Sequence, residues 1–147
     1  MSKEVKKYLK RIFEAGKIEE AMREKLEIMR SRQESPGGGS YGFGGVKTSR
    51  RKDALGDLAA AILDFENKLA RYSLKLIRDE AELKRILDLL KDGTQKAIMT
   101  WRYICRFSWE EISNRSNLSV MQLTRIHNAA IIAVAAIFEN SQPIFCK

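Results

Sequence analysis

Apolar side chains recur with alternating steps of three and four along two segments of the chain. In the first segment seven of the eight repeat positions are apolar: Val5, Tyr8, Ile12, Ala15, Glu19, Met22, Leu26 and Met29. In the second segment ten of the eleven are apolar: Leu55, Leu58, Ile62, Phe65, Leu69, Tyr72, Leu76, Asp79, Leu83, Ile86 and Leu90. A three-four repeat sustained over several heptads is typical of a helix that presents one seam to another helix.

A stretch rich in glycine, residues 36–45, separates the two segments. Glycine and proline disfavour helix continuation there, so the chain has room to reverse. We therefore predict an antiparallel helical hairpin (1–92) with helices over 3–33 and 52–91, and a poorly ordered linker over 34–50. A phosphate-binding loop is disfavoured, because Val46 stands where that motif requires glycine before Lys47.

Residues 93–147 carry the signals of a second, helix-turn-helix domain. Asp92-Gly93 supplies a left-handed helix end, and Thr94 is the predicted cap of the next helix. Ser108-Trp109-Glu110-Glu111 and Ser119-Val120-Met121-Gln122 read as two capping boxes, eleven residues apart. Asn117 tolerates the positive φ that a tight turn between the helices demands. We expect Ile112, Leu118, Leu123 and Ile126 to face the core.

The run from Ala129 to Phe138 is apolar over ten consecutive residues. It predicts a helix that is apolar on all sides. Such a helix is too short to span a membrane and must be buried against other parts of the protein. The hairpin could cover one side and a second copy of the chain the other. We therefore expect a homo-oligomer, most simply a dimer, with Ile131, Val134, Ile137 and Phe138 in the interface or the adjoining core.

The charge is basic and unevenly distributed. The 147 residues contain 27 Lys and Arg against 19 Asp and Glu, a formal charge of +8, and residues 1–52 alone carry 14 basic and 7 acidic side chains. A basic excess favours a polyanionic partner such as nucleic acid, although a solvated basic face gives the same count.

Few residues are suited to catalysis or metal binding. Two cysteines and one histidine are too few for a zinc site, and His127 is a lone candidate base without a supporting motif. We expect no enzyme activity, metal or cofactor. Trp101 and Trp109 are expected to be core anchors, Cys105 a small core residue and His127 a packed helix residue. The absence of a long apolar run or signal peptide predicts a cytoplasmic location without a membrane.

Four segments carry a resemblance to region four of bacterial sigma factors: Trp101-Arg102-Tyr103-Ile104, Phe107-Ser108-Trp109-Glu110-Glu111-Ile112-Ser113, Leu118-Ser119, and Leu123-Thr124-Arg125-Ile126-His127-Asn128-Ala129. More specifically, the layout resembles the small phage regulators of the ArpU and RinA kind, which control late genes. One departure is Arg106, where sigma-like members usually have glycine before the capping serine.

The resemblance implies DNA contacts from the second helix of the motif. Val120, Met121 and Arg125 stand at the positions that touch base edges, and Arg125 is the strong hydrogen-bonding reader among them. Further candidates for base or phosphate contacts are Ser119, Gln122, Thr124, Asn128, Arg115, Lys47, Arg50, Arg51 and Lys52.

Three functions remain open at this stage. The first is a sequence-specific regulator of transcription that binds double-stranded DNA, with host RNA polymerase as a further candidate partner. The second is a DNA-recognition component of phage packaging, similar to small terminases, which assembles as a ring. The third is a helical adaptor without nucleic acid.

Overall fold

The computed structural model describes residues 2–34 and 48–141, with side chains over 2–34 and 54–141. Over these ranges the chain forms helices and no strand, which confirms the all-α class. The elements are α1 (Ser2–Glu34), α2 (Thr48–Asp88), α3 (Gly93–Met99), a π-helical turn (Thr100–Ile104), α4 (Trp109–Ser116) and α5 (Val120–Asn140).

The two long helices differ at their ends from the prediction. Glu34 and Thr48–Arg50 were placed in the linker, but they are helical; residues 35–47 lie outside the described part of the chain. At the other end α2 stops at Asp88 rather than residue 91. There Leu89 and Leu90 donate backbone hydrogen bonds three residues back, to Ile86 and Leu87, so the chain tightens into a turn.

Contacts divide the chain into two units. One, here the helix-pair unit, is Ile18–Lys75; the other, the composite unit, combines Met1–Lys17 with Leu76–Lys147. This division differs from the predicted one after residue 92. The reason is that the first turns of α1 and the last turns of α2 share a core with the helices that follow.

The helix-pair unit is held by the predicted seam. Leu26, Ile62 and Leu69 are buried and the remaining members are half-buried: Met22, Met29, Leu58 and Phe65. All seven are predicted repeat positions. At the edge, Nη2 of Arg30 donates to Oε1 of Glu66 at 2.8 Å. The unit is therefore stabilised by one narrow line of apolar contacts between two helices.

The composite unit has a broader core. Its buried residues come from α1, the end of α2, α3, the π-helical turn and α5: Val5, Leu9, Ile12, Leu83, Ile86, Leu87, Leu90, Met99, Tyr103, Ala130, Ile131, Val134, Ala135 and Phe138. The ring of Tyr8 packs edge-on against Phe138, with centroids 5.5 Å apart. As an antiparallel hairpin requires, the start of α1 shares this core with the end of α2.

Helix α5 is buried on one face, not on all sides as predicted. Ile131, Val134 and Phe138 lie in the core of their own chain, Ile137 packs half-buried against it, and Ile132 is 65% exposed. Residues of α1 and α2 cover this face of α5, as predicted for the hairpin. The second copy expected on the other face stays a prediction. By length and composition alone α5 could cross a membrane, a test that core helices also pass.

The entry to α3 corrects the predicted cap. Oδ1 of Asp92 accepts hydrogen bonds from the backbone N–H groups of Thr94 (2.9 Å) and Gln95 (3.4 Å). Asp92 is thus the N-cap, Gly93 is the first helical residue, and Thr94 lies inside the helix. The short aspartate side chain, placed directly after the turn that ends α2, satisfies two N–H groups that would otherwise lack partners.

The π-helical turn places Cys105 differently from the prediction. The N–H of Cys105 donates to the carbonyl of Thr100 at 3.0 Å, which closes the wider turn. Cys105 is exposed rather than a core residue. The extra residue of a π turn rotates the positions after it relative to an α-helix, and the sequence periodicity gives no sign of that.

Candidate nucleic-acid interface

A helix-turn-helix forms where the capping signals predict it. Ser108 caps α4, its Oγ accepting from the N–H of Glu111 at 3.2 Å. The predicted return bond from the Glu111 side chain is not formed, so this is half a capping box. Asn117 ends α4 with φ 59°, in the predicted left-handed conformation.

The turn is closed by serine hydroxyls. Ser113 Oγ donates to the carbonyl of Leu118 (2.5 Å), and Ser116 Oγ donates to that of Ile112 (2.7 Å). Ser119 then caps α5 in a full capping box: its Oγ accepts from the N–H of Gln122, and the side chain of Gln122 accepts from the N–H of Ser119 at 2.9 Å. These hydrogen bonds give partners to backbone N–H and carbonyl groups at the point where the chain changes direction.

A small core fixes the angle between α4 and α5. Ile98, Ile112 and Leu123 are buried at its centre. Half-buried side chains surround them: Trp101, Phe107, Trp109, Leu118 and Ile126. The predicted core positions and the two tryptophan anchors are confirmed.

The first half of α5 leaves one face exposed, which we call the recognition face: Val120, Met121, Thr124, Arg125 and Asn128. Residues three and four apart on a helix are neighbours, so these side chains form one surface opposite Leu123. Met121 is 68% exposed, although a large apolar residue is usually buried. Arg125 is the charged residue of this face.

Two of the residues predicted to contact DNA form hydrogen bonds within the helix-turn-helix itself. The Oε1 atom of Gln122 is held in the capping box. The hydroxyl of Thr124 donates to the carbonyl of Val120 at 2.9 Å. Arg115, on α4, is exposed, with its guanidinium 4.3 Å from the ring centroid of Phe107.

The predicted basic stretch after the linker is described only in part. Lys47 lies outside the described residues. Arg50, Arg51 and Lys52 belong to the start of α2. This part of the stretch is helical rather than a loop.

Arg102 was not among the predicted site residues. Its guanidinium lies 4.3 Å from the ring centroid of Phe13 and 4.8 Å from that of Trp109, and Nη1 donates to the carbonyl of Phe107 at 3.1 Å. Burial lowers the pKa of Arg102. Because Phe13 is on α1 and Trp109 on α4, this cation joins the first helix to the helix-turn-helix.

His127 lies beside this cluster and is held by one hydrogen bond and by ring contacts. Its Nε2 and the hydroxyl of Tyr103 share a hydrogen bond of 2.6 Å, and its ring contacts Trp109 edge-on. Burial, together with the positive charges of Arg102 and Lys6, lowers the pKa of His127 to about 4. The imidazole is therefore neutral at pH 7 and has a packing role.

Helix α1 packs against α5, with Tyr8 against Phe138 and with Val5 and Val134 in one core. Four exposed lysines share one side of α1 and form what we call the lysine stripe: Lys3, Lys6, Lys10 and Lys17. Nζ of Lys17 lies 5.6 Å from the ring centroid of Phe13, which in turn packs against Tyr103. The basic excess of residues 1–52 indicated such a surface, but its position depended on the packing of α1.

Arg106 anchors the turn before α4. It has φ 59°, the left-handed region in which sigma-like members carry glycine, and its Nη1 donates to Glu80 on α2 at 2.9 Å. Its side chain occupies the space beside Gly16, where an added Cβ would lie 2.2 Å from Cδ of Arg106. The lack of a side chain at Gly16 therefore leaves room for Arg106. From the turn before α4, the Arg106 side chain contacts both α1 and α2.

Comparison of the chain with protein-family models, curated proteins and solved structures found no match in any of the three.

Proposed function

We propose that this protein binds double-stranded DNA, with the recognition face of α5 in the major groove. The observation that carries the proposal is the exposed face at the start of a capped helix, directly after a left-handed turn. An α-helix fits the major groove, where each base pair displays a distinct pattern of donors and acceptors. Side chains held by a packed helix lose little further entropy on binding.

Arg125 is the proposed base reader. It is exposed, and no hydrogen bond or ion pair ties it to another described residue. Its guanidinium can donate two hydrogen bonds to the O6 and N7 atoms of guanine, a contact that discriminates by about 1–3 kcal/mol. Val120 and Met121, beside it, can contact a thymine methyl group. Asn128 extends the face by one turn and can pair with adenine.

The lysine stripe is the proposed source of phosphate contacts. The recognition face carries a single charge, and Glu110 and Glu111 at the start of α4 are exposed and acidic. Most of the electrostatic attraction must therefore come from another surface of the composite unit. The stripe lies on α1, which packs against α5 through Tyr8 and Phe138, so we propose that its lysines contact phosphates beside the groove. Lys47, Arg50, Arg51 and Lys52 are proposed as additional contacts.

The resemblance to sigma region four and to the phage regulators supports a regulatory role. We propose control of transcription from a specific operator in a bacterial cytoplasm, with host RNA polymerase as a further partner. Regulation and packaging both use DNA binding, and the mass of the assembly separates them: a dimer favours regulation, and a ring favours packaging.

Selection of bound fragments from a random DNA pool tests the proposal. We expect one enriched sequence, and Arg125→Ala should weaken binding to it by about 10- to 100-fold with little effect on random DNA. Arg85→Ala, an exposed arginine on α2, is the matched control. Equal losses on both DNAs would make Arg125 a phosphate contact, and absence of salt-dependent binding to any DNA would overturn the proposal.

The lysine stripe has its own test. The double variant Lys6→Gln, Lys10→Gln should reduce the slope of log affinity against log salt by about 2, because two phosphate contacts are lost. The selected sequence should stay the same, since phosphate contacts carry no base information. Lys68→Gln, Lys75→Gln on α2 is the control. An unchanged slope would assign the stripe to solubility.

A further inference from the structure

Helix α2 carries a second three-four repeat on the side opposite the seam. Its positions step by four and three, and all eight are exposed; we call them the outer stripe: Gly56, Ala60, Leu63, Asn67, Ala70, Leu74, Ile77 and Ala81. Seven of the eight are small or apolar. Leu63 and Ile77 are 58% and 59% exposed, so the stripe is open along one continuous helix.

An exposed heptad repeat requires an explanation, because large apolar side chains in water are unfavourable. The inner seam already packs within the chain, and no described residue covers the outer stripe. The stripe contains small residues between its leucines and isoleucine, and small residues let another helix approach closely. One polar residue, Asn67, lies near the middle, and a single asparagine in such a repeat is used to select one register and one oligomeric state.

The charges beside the stripe identify the covering helix. Along one flank, at steps of seven, are four exposed residues without an ion pair to any described residue: Asp57, Asp64, Arg71 and Arg78. The order is two acids, then two bases. When a second copy of α2 runs in the opposite direction, its two arginines lie opposite the two aspartates of the first copy. The charges of this flank are therefore complementary in an antiparallel pair.

We propose that α2 pairs with α2 of a second copy as an antiparallel coiled coil. The two-fold axis passes between Asn67 and Ala70, so that Leu63 of one copy packs against Leu74 of the other. The same register sets Asp64 opposite Arg71, and Asp57 opposite Arg78, on each side of the axis. Each of these four residues gains a partner in this arrangement.

The opposite flank argues against a parallel pair. In a parallel coiled coil the two flanks face each other across the interface. The acids of the second flank are Glu66 and Glu80, and both are already used within the chain: Glu66 accepts from Arg30 at 2.8 Å and Glu80 from Arg106 at 2.9 Å. Of the two flanks beside the outer stripe, only the first carries described charges without an ion pair, and this flank meets itself only in the antiparallel arrangement.

The proposed dimer does not depend on the DNA-binding proposal, and it can be tested without DNA. If both hold, the two-fold axis gives two copies of the recognition face and favours an inverted-repeat operator. It also places the interface on α2 and leaves α5 in the core of its own chain.

Sedimentation or light scattering across a concentration series decides the oligomeric state. We expect wild-type protein to be a dimer at tens of micromolar, and Leu63→Glu to be a monomer with unchanged helix content by circular dichroism. Leu89→Glu places the same charge at a leucine of comparable exposure, 61%, outside the stripe, and should remain dimeric. A wild-type monomer, or a Leu63→Glu variant that stays a dimer, would overturn the proposal.

Charge reversal tests the direction of pairing. Asp64→Arg and Arg71→Asp should each raise the dimer Kd about tenfold, because each creates two like-charge pairs. A mixture of the two variants should form a heterodimer near wild-type affinity, since every Arg then faces an Asp. The double variant Asp64→Arg, Arg71→Asp should also recover. If neither the mixture nor the double variant recovers, the antiparallel register is wrong.

Discussion

The helix-pair unit and the composite unit are built from the same two long helices but bury them differently. Among the described residues of the helix-pair unit three are buried on one seam, and α2 keeps its outer side in water. In the composite unit α1 and α2 also contact α3 and α5, so fourteen of its described residues are buried in one cluster. Two packed helices cannot enclose a core, whereas four or five can.

This difference explains where each proposed activity lies. The proposed DNA-binding surface requires side chains held at fixed positions, and it lies on the composite unit, which has the broader core. The proposed dimer surface requires only one continuous helix with a regular repeat, and most of it lies on the helix-pair unit. A partner helix would give that unit the second layer that its own chain does not supply.

The largest expected effect separates the buried and exposed faces of α5. Val134→Glu should destabilise the composite unit by about 4 kcal/mol or more, because it buries a charge without a partner. Ile132→Glu, two residues away on the exposed face, should change stability by about 0.5 kcal/mol or less. Urea unfolding followed by circular dichroism measures both. Similar losses from the two variants would mean that a second chain covers Ile132.

Truncation of one leucine in each unit compares the two cores. Leu9→Ala, in the composite unit, should cost about 3–4 kcal/mol, and Leu26→Ala, in the helix-pair unit, about 2 kcal/mol, because a narrow seam can relax around the missing atoms. Amide hydrogen exchange should also show the helix-pair unit opening at lower free energy. Equal costs would contradict the contrast between the two cores.

Two helical glycines should respond with opposite signs. Gly16→Ala should destabilise the composite unit by about 1–2 kcal/mol, because the new methyl group displaces Arg106 from Glu80. Gly56→Ala, in the helix-pair unit, meets nothing within 4 Å and should stabilise its helix by about 0.5–1 kcal/mol. The thermal unfolding midpoints of the two variants should move in opposite directions, and a rise in both would leave Gly16 without a structural role.

Acid should weaken the composite unit through His127, by less than the loss expected for Val134→Glu or Leu9→Ala. Its pKa is about 4 in the folded protein against 6.5 in an unfolded chain. The stabilisation is thus complete above pH 6.5 and is lost as pH falls from 6.5 toward 4. After allowance for its partial exposure, we expect a loss of about 1 kcal/mol between pH 7.5 and 5.

The matched control is His127→Gln, which cannot titrate and should show a smaller change in its urea midpoint over the same interval. An equal change in the two proteins would assign the pH dependence to other groups.

The helices and turns that depend on neighbouring residues could be predicted from the sequence. The seam repeat predicted which sides of α1 and α2 pack, because the side chains of a helix recur every three or four residues. Ser108, Asn117 and Ser119 predicted the helix-turn-helix, because caps and left-handed turns depend on a few neighbouring atoms. Of the local signals, the cap at Asp92 was misassigned, since aspartate and threonine both qualify and the choice depends on where the preceding turn ends.

Three features could be learned only from the tertiary structure. They are the residues that bury α5, the side of the protein on which the lysines of α1 lie, and the reason for a glycine at position 16. Each of these depends on contacts between residues that are far apart in the chain, such as Gly16 with Arg106, or Phe13 with Arg102. A ten-residue apolar run shows that cover is needed but not which surface provides it. The docking of α1 and α2 against α5 provides it here.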